Sequence, residues 1–201
     1  MSYLEYNTKF VPTGIRKVLH LNWPIIMLLI AVACAGFLML YSVAGGSMTP
    51  WVEPQMKRFA LGLVLMLIVA MVPIWFWRNM AFVAYAGSIL LLLGVEFFGE
   101  VRMGAQRWID LGFMRLQPSE LTKITLVLFL AAYYDWLPNK KTSHPFWVML
   151  PVIFIIVPTM LVLSQPDLGT ALLLLVGGAT IMFLAGVLWA YFATVVSAGV
   201  G

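Results

Sequence analysis

Apolar residues in this chain fall into long runs separated by short polar connections, and the lengths of those runs set the elements. A helix needs about 20 residues to cross the roughly 30 Å of hydrocarbon in a bilayer. On that ruler, spans are predicted near Pro24–Ala44, Phe59–Trp75, Met80–Phe97, Gln117–Trp136, Pro145–Leu163 and Leu168–Trp189. Tryptophans support the ruler. Trp23, Trp75, Trp77, Trp136, Trp147 and Trp189 fall at segment ends, as an aromatic belt at the headgroups requires, and Trp51 lies in a connection. Trp108 is the exception, within a connecting loop predicted over 98–116. After Trp189 an apolar run from Ala190 to Gly201 is too short to cross, so it reads as the start of a seventh span. The expected architecture is all-α: one polytopic membrane domain over 1–201, six complete spans plus part of another, the front of a longer protein.

Composition agrees with a membrane protein. Hydrophobic residues make up 63% of the chain and charged residues 10%, and the mean hydropathy is +0.98. The net charge of +4 is too small and too evenly spread for nucleic-acid binding. Cys34, the one cysteine, has no partner for a disulfide within the chain. The run around it continues to Leu40, too long for a signal-peptide core, so the first segment is expected to stay as an anchor.

Orientation rests on lysine and arginine. With the N-terminus inside, Lys9, Arg16, Lys17, Arg78, Lys140 and Lys141 lie inside, and Lys57, Arg58, Arg102, Arg107 and Arg115 lie outside. That balance decides little. The first helix decides more: Arg16 and Lys17 precede it with no acidic residue before Trp23, which places the N-terminus in the cytoplasm. Loop 98–116, Gln117-Pro118 and Gln165-Pro166 then share the outer face.

Two stretches carry candidate chemistry. From Glu96 to Arg115 the chain reads EFFGEVRMGAQRWIDLGFMR, with Arg102, Arg107 and Arg115 set among Glu96, Glu100, Asp110 and Gly99, Gly104, Gly112. It suits an interfacial loop stitched by salt bridges, or a site where arginines meet phosphate in two-point geometry. The fourth segment has an apolar run only from Ile124 to Tyr134, so its helix must include Gln117 to Lys123 to cross. Glu120 and Lys123 then sit three residues apart on one face, below the outer headgroups. Glu120 suits a helix N-terminus, whereas Lys123 opposes the helix dipole, so propensity did not select it. The pair either locks helices together or lines a polar cavity open to the outside, with Lys123 ready for a pyrophosphate. Asp167, after a second Gln-Pro, is ordinary helix-terminus chemistry, or else a third group around that cavity. His20 and His144 read as interface residues. No metal-ligand spacing, catalytic triad or phosphate-binding glycine loop is present.

Gly104-Ala105-Gln106-Arg107-Trp108-Ile109-Asp110-Leu111-Gly112, Gln117-Pro118-Ser119-Glu120 with Lys123, and Gln165-Pro166-Asp167-Leu168-Gly169-Thr170 together resemble the motifs of the SEDS family in order and spacing. These are the shape, elongation, division and sporulation proteins, membrane glycosyltransferases of bacterial peptidoglycan synthesis. Gln106 and Asp110-Leu111-Gly112 look more like the elongation branch than the division branch. The resemblance covers nearly the whole chain but only the first half of the family's ten-span fold. It implies polymerisation of lipid II in the bacterial cytoplasmic membrane during elongation and shape determination. It also implies a class B penicillin-binding protein transpeptidase and other elongation-complex membrane proteins as partners, and no nucleic acid. By similarity, Glu120 and Lys123 line the central cavity with Gln117, and Arg107 and Asp167 lie near it. The catalytic aspartate is expected beyond residue 201. No cofactor is implied, and a divalent cation stays open. A lipid-precursor flippase and a non-enzymatic scaffold for the transpeptidase are the rival readings.

Overall fold

The structure, a computed structural model, describes residues 16–19, 21–98, 100–102, 105–110 and 115–200. It divides into two compact units, Met1–Ile74 and Trp75–Gly201.

In the first unit α1 (Arg16–Leu19) leads to α2 (Trp23–Val43) and α3 (Val52–Met71). Asn22 starts α2 by accepting the Ile25 N–H on its side chain at 3.3 Å, and Pro24 follows in the first turn, where its missing N–H costs nothing. Lys17 Nζ donates to the Val72 carbonyl at 2.8 Å, so the basic approach to α2 and the end of α3 lie together. Phe37 meets Phe59 edge to face at 5.7 Å between ring centroids. α3 begins seven residues before the predicted boundary. Pro54 is tolerated in its first turn, and Glu53 and Lys57 pair at 2.6 Å one turn apart, so Lys57 and Arg58 are helical rather than in a loop. Pro73 ends it, because the residue before a proline is driven to extended backbone, as Val72 is (φ −69°, ψ 134°).

The second unit holds most of α4 (Ile74–Phe98), then β1 (Glu100–Arg102), β2 (Ala105–Asp110), β3 (Arg115–Leu116), α5 (Pro118–Trp136), a 3-10 turn at Asn139–Lys141, α6 (Pro145–Ser164), α7 (Leu168–Leu184) and α8 (Trp189–Val200). α4 starts six residues before its predicted boundary, which puts Trp75 and Trp77 in its first turn. α7 ends five residues early: Gly186 takes φ +91°, a conformation that suits glycine, and Trp189 opens α8 instead of closing α7. The stretch expected as a loop over 98–116 carries a three-stranded antiparallel sheet in the order β1-β2-β3. Pairing gives its backbone donors and acceptors partners within the sheet.

Among the described residues, α2, α3, α4 and α6 are long and apolar enough to cross a membrane. α7 is an apolar helix of 17 residues, and α5 has 19 residues but carries Glu120, Lys123 and Asp135. The chain is a multi-pass membrane protein.

The core of this unit lies where α5, α6 and α7 pack together. Leu126, Phe129 and Leu130 from α5, Val148, Ile155 and Val162 from α6, and Ala171, Leu174 and Met182 from α7 are buried there at helical spacing. Tyr85 of α4 stacks on Phe129 at 5.0 Å, and Phe129 meets Phe154 at 4.7 Å. Polar contacts fix which ends adjoin. Arg78 at the start of α4 pairs with Asp135 at the end of α5 at 2.8 Å. Ser143, before α6, donates through Oγ to the Gly186 carbonyl at 3.2 Å, and Tyr191 of α8 donates to the Ser143 carbonyl at 3.0 Å. Gln165, at the far end of α6, donates from Nε2 to the Leu92 carbonyl of α4 at 3.4 Å. The end of α4, the sheet, the start of α5 and the α6–α7 turn therefore gather at one end.

Candidate functional site

The start of α5 is built from its sequence in order. Gln117 is the N-cap residue with extended backbone, Pro118 takes the first helical position, and Ser119 and Thr122 are buried. Thr122 Oγ1 donates back to the Pro118 carbonyl at 3.0 Å, giving that hydroxyl a partner inside the helix. With Ser119 and Thr122 turned inward, Glu120 faces the other way, on the side that continues down the helix with exposed Ile124 and Val127. Lys123 flanks it. Its Nζ donates to Glu120 Oε1 at 2.8 Å, the i,i+3 pairing expected from spacing.

The exposures of the two partners differ usefully. The Lys123 side chain is 26% exposed and that of Glu120 is 55% exposed, so the pair is not sealed in a dry seam. The Lys123 ammonium is thus partly sheltered and paired with one carboxylate in the first turns of α5. Among the described residues no cluster of three or more His, Cys, Asp and Glu is placed to hold a metal.

β2 lies against α5 and carries Arg107. Its pairing slips beside that residue: Glu100 faces Trp108, whereas Val101 faces Gln106 and Arg102 faces Ala105. Arg107 thus occupies the extra position of a β-bulge, a local bend that re-aims the chain. The side chains of Arg102, Arg107 and Arg115, together with Gly99, Gly104, Gly112 and His20, lie outside the described residues.

At the second Gln-Pro, Asp167 is the N-cap of α7. Its Oδ1 accepts the Thr170 N–H at 3.1 Å and its Oδ2 accepts the Thr170 hydroxyl at 2.9 Å. Pro166 before it has φ +23°, and Gln165 is buried. The structure therefore pairs Glu120 with Lys123 directly and brings Gln117 and Asp167 to the same end of the unit, Asp167 as a helix cap. His144 also proves to be a cap, accepting the Phe146 N–H at Nδ1.

Other polar residues were not singled out from sequence. The Ser88 hydroxyl of α4 meets that of Thr125 of α5 at 2.7 Å, tying the two helices together two residues past Lys123. Gln165 ties α6 to α4. A small hydroxyl inside an apolar run was the signal for the first, since such residues glue membrane helices.

Known proteins resemble the chain along most of its length. Residues 22–201 match a family described as cell cycle protein, which groups FtsW, RodA and SpoVE. The peptidoglycan glycosyltransferase MrdB of Escherichia coli K12 is 34% identical over 173 residues, 85% of this chain and 45% of that protein. The probable peptidoglycan glycosyltransferase FtsW of Escherichia coli O6:H1 is 35% identical over 179 residues, 85% of this chain and 43% of that protein. Among solved structures, the rod shape determining protein RodA of Thermus thermophilus superposes with a TM-score of 0.75 at 29% identity, over 88% of this chain and 57% of that one. A chain from a peptidoglycan synthase complex that coordinates polymerization and crosslinking gives 0.78 at 30% identity, over 88% of this chain and 51% of that one. The chain spans about half the length of the curated relatives it matches. With a multi-helix membrane fold and a family match over all but its first residues, the chain belongs to the FtsW/RodA/SpoVE family of cell cycle proteins.

Proposed function

We propose that this chain forms the front of a single membrane domain in a glycosyltransferase that polymerises lipid II, the undecaprenyl-pyrophosphate-linked disaccharide-pentapeptide, for elongation and cell shape. In this reading it sits in the bacterial cytoplasmic membrane with its N-terminus inside and the Glu120–Lys123 end outside, and works with a class B penicillin-binding protein transpeptidase. A sugar hydroxyl attacks the anomeric carbon of a second sugar; the new C–O bond forms, the bond to pyrophosphate breaks, and the pyrophosphate leaves with the electron pair. The proton goes to a base expected beyond residue 201. The residues of this chain meet the other need, which is positive charge where the leaving group becomes more negative. Lys123, with Glu120 holding it, and Arg107 on the bulge of β2 supply that charge, and Gln117 and Asp167 complete the polar wall.

The observation that carries this reading is the 2.8 Å Lys123–Glu120 pair, partly sheltered but open, in the first turns of a membrane helix. Such a pair is costly in hydrocarbon and is retained where it faces a polar cavity. The test uses the complete protein with its transpeptidase and labelled lipid II in detergent. Glycan chains are expected, and Lys123→Ala should lower their formation on the order of 100-fold while membrane insertion and partner binding persist. Unchanged turnover in Lys123→Ala removes the site assignment, and lipid scrambling without polymer makes the protein a transporter.

A further inference from the structure

α6 runs unbroken from Pro145 to Ser164 although Pro151 and Pro158 lie inside it, both buried. A proline within a helix has no N–H for the carbonyl four residues earlier, and its ring crowds that carbonyl. The carbonyls that lose their ordinary donor are those of Trp147 and Phe154. Each is met by a tyrosine from a different neighbouring helix. The Tyr133 hydroxyl of α5 donates to the Trp147 carbonyl at 3.0 Å, and the Tyr85 hydroxyl of α4 donates to the Phe154 carbonyl at 2.7 Å.

The match is one to one, and it repeats after seven residues, close to two helical turns, so both acceptors lie on nearly the same face of α6. Phe154 lies in the middle of α6, where hydrocarbon holds no water to replace its bond. Tyr85 is 4% exposed and fixed by its neighbours, stacked on Phe129 at 5.0 Å and edge-on to Phe154 at 5.7 Å, so its hydroxyl has one aim.

Beyond these two bonds α6 ends in Gln165, Pro166 and Asp167. Gln165 bonds to α4, and Asp167 starts α7. We propose that Tyr85 and Tyr133 are positioning residues: their hydroxyls staple the two proline-opened carbonyls of α6 and so fix the line along which α6 delivers Gln165–Asp167 to the site. The positioning part rests on the reading of that site given above. From Phe154 to Ser164 the helix rises about 15 Å. A change of about 10° in direction at the opened Phe154 carbonyl would therefore displace its end by roughly 2.6 Å, and a misplacement on the order of 1 Å costs about 100-fold in a reaction that depends on alignment.

The test is a double-mutant cycle in the complete protein. Tyr85→Phe removes the donor and keeps the ring; Pro158→Ala gives the Phe154 carbonyl an intrahelical donor again. Tyr85→Phe alone should shift the unfolding equilibrium in detergent by roughly threefold to fifteenfold and lower glycan formation about 10-fold. In the Pro158→Ala background the same change should do neither, a rescue that a general packing role for the tyrosine would not give. Tyr133→Phe with Pro151→Ala repeats the cycle at the other level. Equal effects of Tyr85→Phe with and without Pro158 overturn the staple. Coupling in stability with glycan formation unchanged, while Lys123→Ala still suppresses it, overturns the positioning role alone. Failure of the functional reading is distinguishable, because it appears as full activity in Lys123→Ala and leaves the stability cycle to be read by itself.

Discussion

Asp167 holds Thr170 twice, once through the backbone N–H and once through the hydroxyl, and that arrangement separates two jobs for one carboxylate. A cap needs an oxygen at Oδ1; a charge in a cavity needs ionisation. Asp167→Asn keeps the first and removes the second, whereas Asp167→Ala removes both. Loss of an N-cap side chain costs about 1 kcal/mol. The expected outcome is that Ala lowers thermal stability in detergent by about that amount and stops glycan formation, while Asn stays as stable as the parent and still loses glycan formation. A fully active Asn variant would make Asp167 a cap and nothing more. The same division was visible in the sequence, where an acid after Gln-Pro fitted both roles; only the bonds to Thr170 show that the cap is made.

At the scale of elements, the contact between α6 and α7 depends on one of two adjacent glycines. A Cβ built on Gly178 would lie 2.5 Å from Ile155 Cγ1 and 2.6 Å from its Cδ1, while a Cβ on Gly177 meets nothing within 4 Å. Ile155 is buried and branched at Cβ, so it has little freedom to move aside. Gly178→Ala should therefore destabilise the protein by about 1–3 kcal/mol through overpacking. Gly177→Ala relieves backbone entropy in a helix and should be neutral or stabilising by up to about 1 kcal/mol. Thermal unfolding of the two variants side by side checks this, and equal melting temperatures would mean that α6 and α7 are not in register at Ile155. The sequence could not rank these neighbours. Both sit in one apolar run, and what distinguishes them is a residue more than twenty positions away.

Across the whole molecule, what the sequence revealed and what it hid divide along the same physical line. Apolar runs revealed the long helices, four of which among the described residues are long and apolar enough to cross a membrane, because length and hydropathy are local properties. Boundaries went astray where polar residues continue a helix, as Lys57 does by pairing with Glu53, or where glycine stops one inside an apolar run, as Gly186 does. The sheet between α4 and α5 was hidden because its alternating charges and glycines suit a loop equally well. The tyrosine bonds to α6 were half visible: two prolines within a span announce two carbonyls in need of donors, but not which helix provides them. Orientation is the remaining property that belongs to the molecule as a whole, and it rests on Arg16 and Lys17 before α2. Within the second unit the bonds assign residues to ends: Ser143 with Gly186 at one, and Gln165 with Leu92 at the other. The orientation we propose, with the N-terminus inside, puts the turn holding Lys141 in the cytoplasm and β2, with exposed Trp108, outside. In a Cys34→Ser background, a membrane-impermeant maleimide added to intact cells permeabilised only at the outer membrane should label Trp108→Cys and spare Lys141→Cys until the inner membrane is opened. The reverse pattern would turn the Glu120–Lys123 pair toward the cytoplasm, where it could not meet a substrate presented at the outer face, and the proposed reaction would lose its site.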